Sequence, residues 1–171
     1  MEFKIGDYVV HPAYGVGQID QLEERRFSGS DSRLYYKIDI ANGTVWVPVQ
    51  TDQPIRLRPI TTKVELARYR RLLTKQPSPL NPDHRERQQE LSERLRSGSF
   101  KTMCEVVRDL TARSWEKSLN EADGASLRKA REALCQEWAA SKGISLTDAD
   151  QEVEALLVEA RHSFSANGAK V

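Results

Sequence analysis

The sequence predicts an α+β protein, with a small antiparallel β-barrel over residues 1–60 followed by an all-α domain over residues 61–171. Three observations predict this class. The length of 171 residues suits one medium domain or two small ones. Up to about residue 60, short runs rich in Val, Ile, Tyr and Trp alternate with turn residues. Beyond that point the apolar residues recur at helical spacing.

The first domain contains four predicted strands. They cover residues 7–10, 16–22, 34–40 and 44–49. In the third strand Tyr36, Ile38 and Ile40 share one face. The pair Asn42-Gly43 predicts a tight hairpin between the last two strands, because both turn positions of such a hairpin favour positive φ. The links between strands are too short for helical crossovers, so a parallel sheet is excluded.

Five helices follow, each apolar on one side. They cover residues 62–75, 83–96, 100–114, 120–142 and 145 to about 165. Three prolines within residues 76–82 break the pattern between the first two helices. Asn120 is the predicted N-cap of the fourth helix, Gly143 ends it, and Ser145 with Asp148 resembles a capping box before the fifth. We expect residues 165–171 to be a frayed tail.

Composition excludes several classes of protein. Hydrophobic residues make up 39% of the chain, which is enough for a core, and no apolar run reaches the ~20 residues that cross a bilayer. The first residues lack the pattern of a secretory signal. We therefore expect a cytoplasmic protein without a membrane partner. The formal net charge of +1 argues against a protein that binds nucleic acid through bulk charge.

The charge is unevenly distributed along the chain. Residues 1–60 carry a net charge of −1, residues 61–131 carry +6, and residues 132–171 carry −4. The positive middle section is either a face that contacts phosphates or a solvated helix surface whose cations pair along the helix. Composition alone favours the second interpretation.

The sequence contains no catalytic constellation. It lacks nucleophile-elbow, Walker, zincin and dinucleotide motifs. His11, His84 and His162 lie far apart and none has metal-ligand spacing to a cysteine, so we expect neither a metal nor another cofactor. Cys104 and Cys135 are predicted to be small buried residues rather than nucleophiles. We expect no enzyme, and one that uses either thiol is the weakest of the interpretations.

Four segments, in the same order, resemble the CarD/CdnL family of bacterial transcription regulators. The opening KIGDYVVHPAYGVG at residues 4–17 also resembles the RNA-polymerase-interacting module of the transcription-repair coupling factor. TVWVPV at 44–49 resembles a later strand of that module. EVVRDL at 105–110 and KAR at 129–131 resemble motifs of the CarD helical domain. We expect a CarD-type regulator rather than a coupling factor, because no helicase motor follows.

The resemblance implies a Tudor-like (SH3-like) N-terminal barrel that binds the β subunit of RNA polymerase. It implies a helical domain that contacts promoter DNA at the upstream edge of the transcription bubble and stabilises the open complex. Arg25 matches a basic polymerase-contacting position. Trp46 occupies the place of a polymerase-contacting arginine in some relatives, so it is either an interface anchor or a packed barrel residue. Val47 and Pro48 complete the implied polymerase site.

The implied DNA-contacting residues are His84, Arg85, Arg87, Lys129 and Arg131. Relatives have a tryptophan at the position of His84, and its indole inserts where the duplex opens. His84 is then either a smaller, weaker wedge or a helix-start residue in contact with phosphate or solvent. The alternative function is a polymerase-binding protein whose helical domain docks a protein partner instead of DNA. We expect a monomer that is associated with the nucleoid through the polymerase.

Overall fold

A computed structural model describes residues 2–29, 31–50 and 56–168 of the chain. The chain forms two compact units, one up to Ile60 and the other from Thr61 onward. The first unit is a five-stranded antiparallel sheet and the second contains five helices. This architecture confirms the predicted α+β class, with a Tudor-like N-terminal domain and a helical C-terminal domain.

The sheet has the strand order β4-β3-β2-β1-β5. Its strands are β1 (Tyr8–His11), β2 (Gly15–Arg25), β3 (Arg33–Ile40), β4 (Gly43–Pro48) and β5 (Arg58–Pro59). The register between β2 and β3 shifts between Ile19 and Gln21, a bulge that bends a long strand. β5 is missing from the prediction because a strand of two residues, one of them proline, carries no alternating pattern.

The hairpin between β3 and β4 forms as predicted, but its turn differs. Ile40 pairs with Gly43, so the turn residues are Ala41 and Asn42 rather than Asn42 and Gly43. Ser28 is the one non-glycine residue with positive φ in the described part of the chain. Asn42 therefore does not adopt the left-handed conformation that a type I′ turn requires. Gly43, with φ of 154°, is the first residue of β4.

Alternation along the strands builds the core of the first unit. Val9, Ile19, Tyr36, Ile38 and Val47 are buried together on one face of the sheet. The predicted shared face of β3 is confirmed, with Ile40 packed at the margin of this core. The opposite face of the sheet carries the polar and aromatic side chains described in the next section.

The second unit contains α1 (Lys63–Thr74), α2 (His84–Arg96), α3 (Phe100–Glu116), α4 (Glu121–Lys142) and α5 (Leu146–Gly168). Their apolar faces share one core, in which Leu110, Leu134 and Trp138 are fully buried. The predicted caps are confirmed. The Asn120 side chain accepts the Asp123 N–H, the Ser145 hydroxyl accepts the Asp148 N–H, and Gly143 ends α4 with φ of 69°.

The helix α5 includes residues 165–168, which form the first part of the predicted tail. Residues 169–171 lie outside the described part of the chain. None of the described helices has the length and apolar character needed to cross a membrane.

Candidate functional site

The outer face of the sheet brings together two of the residues expected to contact polymerase. The Arg25 guanidinium carbon lies 4.1 Å from the centroid of the Trp46 ring, in cation–π contact, although the two residues are 21 positions apart. Glu23 connects them, since it accepts the Trp46 indole N–H at 3.1 Å and forms an ion pair with Arg25 at 3.4 Å. Trp46 is therefore a half-exposed residue of the outer face and not part of the barrel core.

Two further aromatic residues extend this surface. Phe27 is 44% exposed and packs edge-to-face on Tyr35 with centroids 5.1 Å apart, and Arg25 lies 5.7 Å from its ring. We call the set Glu23, Arg25, Phe27, Tyr35 and Trp46 the sheet patch. Sequence reasoning missed Phe27 and Tyr35, although outward-facing aromatic residues on neighbouring strands are a signal that a register prediction could have used.

Val47 and Pro48 have different roles from Trp46. Val47 is 2% exposed and points into the core, so its side chain does not reach a partner on the outer face. Pro48 is half-buried and ends β4. β4 is an edge strand, paired with β3 on one side and with no backbone pairing on the other side within the described residues. Its free backbone is the feature through which this segment could accept a partner strand.

In the helical unit, His84 is exposed and lies against the start of another helix. It is the first residue of α2, and its Nδ1 atom is 3.2 Å from the side-chain nitrogen of Asn120, the N-cap of α4. An open groove at this point is lined by His84, Asn120, Glu121, Ala122 and Ala125. The sequence identified Asn120 as a cap, but not as a neighbour of His84, because the two are 36 positions apart.

The expectation that Arg87 contacts DNA is not supported, because its side chain is 3% exposed. Its Nε atom donates to both carboxylate oxygens of Asp123 at 3.1 and 3.2 Å, and Nη2 lies 3.1 Å from the same carboxylate. Nη1 donates to the carbonyls of Asn81 and Pro82. Arg87 thus ties the segment before α2 to the first turn of α4. The resemblance implied a DNA contact for Arg87 from its place along the chain, which does not show that its side chain is enclosed.

The two predicted DNA-contacting residues of α4, Lys129 and Arg131, lie on different faces of that helix. Lys129 is exposed and lies one turn beyond Ala125, on the face that borders the His84 groove. Residues two apart are rotated by about 200° on a helix, so Arg131 faces elsewhere. It pairs with Asp150 at 2.9 Å and Glu154 at 2.8 Å on α5. Although partial burial acts to lower the pKa of Arg131, these two hydrogen bonds and their charges raise it.

Arg85 is exposed beside His84 at the start of α2. His84, Arg85 and Lys129 are therefore the predicted DNA-contacting residues whose side chains the solvent reaches freely. Three carboxylates share this neighbourhood, with Asp83 capping α2, Glu86 in its first turn and Glu121 in the first turn of α4. The surface is one of mixed charge rather than a strongly basic patch.

The two thiols are unsuited to nucleophilic chemistry. Burial raises the pKa of Cys104 far above its ordinary value, and raises the pKa of Cys135 to about 11. Both side chains are buried within the helical core, and a protonated thiol is a poor nucleophile. In the described ranges no three His, Cys, Asp or Glu side chains cluster in a way that could hold a metal ion.

Comparison with known proteins assigns both units. Residues 3–61 match the CarD-like/TRCF RID domain, and residues 69–154 match the CarD C-terminal domain. The chain belongs to the CarD family. A relative from Bacillus subtilis (strain 168), named "Putative transcription factor YdeB", is 30% identical over 144 residues, which cover 84% of this chain and 94% of that protein. The predicted resemblance is confirmed, and this CarD-family chain is a transcription regulator with an RNA-polymerase-interacting domain.

Proposed function

We propose that this protein bridges the β subunit of RNA polymerase and promoter DNA, and that it stabilises the open complex by contacting DNA at the upstream edge of the transcription bubble. It acts without catalysis and reaches the nucleoid through the polymerase. The observation that carries the proposal is the sheet patch, in which a cation and three aromatic rings lie exposed or half-exposed on the domain that matches the polymerase-interacting family.

The sheet patch has the composition of a protein interface. Tryptophan, tyrosine and arginine are the residues that most often dominate binding energy at such interfaces. Glu23 holds Trp46 and Arg25 in one arrangement before binding, which reduces the ordering cost of association. The free edge of β4, next to Trp46, can add an extended segment of the polymerase to the sheet.

The helical unit supplies a modest DNA contact. His84, Arg85 and Lys129 are the accessible groups, and the carboxylates around them limit the affinity for free DNA. A domain already held on the polymerase needs little free affinity, because tethering gives it a high effective concentration near the promoter. His84 stands where relatives have a wedge tryptophan, so its contribution to the lifetime of the open complex is expected to be smaller than that of an indole.

Polymerase binding is tested first. Trp46→Ala removes a central aromatic anchor and is expected to cost about 2 kcal/mol, or roughly 30-fold in Kd for polymerase. Arg25→Ala is expected to weaken binding as well, because the cation–π pair is lost. Tyr14→Ala is the matched control, since Tyr14 is an exposed aromatic residue of the same domain outside the sheet patch. Equal affinity of the Trp46 and Tyr14 variants would exclude the sheet patch as the polymerase site.

The DNA contact is tested on promoter complexes. Open-complex lifetimes with wild type, His84→Ala and His84→Trp should increase in the order Ala, wild type, Trp. A DNase footprint should extend upstream when the protein is added to polymerase. An unchanged footprint, together with normal binding to polymerase, would instead favour the alternative function, in which the helical unit docks a protein partner.

A further inference from the structure

The hydrogen bonds around His84 determine which of its ring nitrogens carries the proton. Asn120 caps α4, and its side-chain oxygen accepts the backbone N–H of Asp123 at 2.8 Å. An N–H cannot donate to an amide NH₂, so this bond fixes the orientation of the Asn120 amide. The NH₂ group is therefore the part of Asn120 that lies 3.2 Å from Nδ1 of His84.

The second neighbour of Nδ1 is also a donor. The Nη2 atom of Arg87 lies 3.5 Å from it, and a guanidinium has no acceptor. Arg87 cannot turn away easily, because the buried carboxylate of Asp123 and the carbonyls of Asn81 and Pro82 hold it in place. A proton on Nδ1 would face two donors and no acceptor, whereas an unprotonated Nδ1 accepts from Asn120.

We infer that the neutral His84 ring carries its proton on Nε2, and that it presents this N–H as a hydrogen-bond donor to an acceptor atom of promoter DNA. Among the described residues, both hydrogen-bonding contacts of the ring are at Nδ1, and the side chain is exposed beside the groove. The second half of the inference rests on the proposed function. It assigns His84 a directional polar contact in addition to the stacking that a wedge tryptophan provides.

Two kinds of acceptor on DNA suit a single neutral donor. The minor groove exposes adenine N3 and thymine O2 at its edge, and the backbone exposes phosphate oxygens. A neutral N–H is satisfied by either kind, and one neutral hydrogen bond contributes about 1 kcal/mol, or roughly fivefold in lifetime. Arg87 and Asn120 are positioning residues in this arrangement, because they act on DNA only through the orientation and tautomer of His84.

The tautomer is measured directly in the free protein. The ¹⁵N resonances of the His84 ring at pH 7.5 should show the proton on Nε2, and a proton predominantly on Nδ1 would overturn the inference. Asn120→Asp retains the N-cap, because Asp caps as well as Asn, but places a carboxylate oxygen where the NH₂ was. This variant should move the proton of the neutral ring to Nδ1, which then donates to the new carboxylate. Asn120→Ser keeps a cap without a group facing His84 and should mix the tautomers.

The DNA contact is measured through the lifetime of the open complex on the full chain with polymerase. His84→Phe retains an aromatic ring without a donor and is expected to shorten the lifetime about fivefold. Promoters with 3-deazaadenine and 2-thiothymine at the upstream bubble edge lack the minor-groove N3 and O2 acceptors, and promoters with methylphosphonate linkages there lack the charged phosphate oxygens. One of these two DNA substitutions should shorten the lifetime of the open complex with wild-type protein and leave the lifetime with His84→Phe unchanged. The DNA atom removed by that substitution is then the acceptor.

The outcomes separate this inference from the proposed function. If the wild-type protein neither extends the footprint nor prolongs the open complex, the proposed function fails. If wild type prolongs the complex and His84→Phe does so equally, the bridging function stands and the hydrogen-bond contact is refuted. Insensitivity of wild type to both DNA substitutions would refute it as well.

Discussion

Removal of the charge on Asp123 should destabilise the helical unit more than any surface substitution. Asp123 is 1% exposed and forms an ion pair with Arg87, which is 3% exposed. Its carboxylate also accepts a hydrogen bond from the Gln88 side chain and lies 3.7 Å from the Arg113 guanidinium. Asp123→Asn keeps the side-chain size but leaves the Arg87 cation buried without a counter-charge. Breaking a buried pair in this way costs about 3–5 kcal/mol. Urea unfolding of the full chain, followed by helical circular dichroism at 222 nm, measures the loss.

Two companion variants identify the source of that cost. The side chain of Asp150, an ion-pair partner of Arg131, is 54% exposed. Asp150→Asn should therefore lower the free energy of unfolding by at most about 1 kcal/mol. The double variant Arg87→Met with Asp123→Leu removes both buried charges and should recover at least about 2 kcal/mol of the single-variant loss. If Asp123→Asn costs no more than Asp150→Asn, or if the double variant is less stable than the single one, an uncompensated buried cation is not the cause.

Three further predictions concern other parts of the chain. Gly17→Ala should destabilise the first unit by about 1–3 kcal/mol in thermal unfolding, because a Cβ atom there would lie 2.5 Å from Ile38 Cγ2; wild-type stability would disprove the clash. Hydrogen bonds from Lys142 lower the pKa of Glu152 in the folded protein. The ionised Glu152 side chain therefore stabilises the fold by up to about 1 kcal/mol. This stabilisation is present above the unfolded pKa of about 4.3 and is lost as the pH falls through the folded pKa. Glu152→Gln should therefore be less stable than wild type at pH 7 in urea unfolding, and the difference should shrink as the pH falls below about 4. Finally, burial raises the pKa of Cys104, so Cys104 should react with iodoacetamide at pH 8 only after unfolding; rapid labelling of native protein would contradict this.

The fold was largely predictable because both kinds of periodicity are strong in this sequence. Alternation along β3 placed Tyr36 and Ile38 in the core, and polar caps marked the start of α4 and α5. The turn between β3 and β4 was not predictable in detail. The same Asn-Gly pair can be two turn residues or one turn residue followed by the first residue of a strand, and the pairing register decides between them.

The candidate site was less predictable because exposure depends on tertiary contacts. Arg85 and Arg87 are neighbours in sequence and have similar chemistry, yet one is exposed and the other is enclosed by the first turn of α4. The carboxylate that encloses it, Asp123, reads in the sequence as an ordinary acidic residue near a helix start. The contact between Arg25 and Trp46 likewise depends on three strands being in register, which no local pattern encodes.

The short edge strand β4 has a consequence for how this protein behaves before it meets the polymerase. An unpaired edge can serve as a template for aggregation between copies. β4 has six residues and ends at Pro48, which has no N–H to donate, so the edge offers only a few ladder bonds to a second copy. A short edge with a proline at its end can accept a brief partner segment without supporting growth of an extended intermolecular sheet. Within the described residues, the same strand can therefore accept one short partner segment while offering few backbone hydrogen bonds to a second copy of the chain.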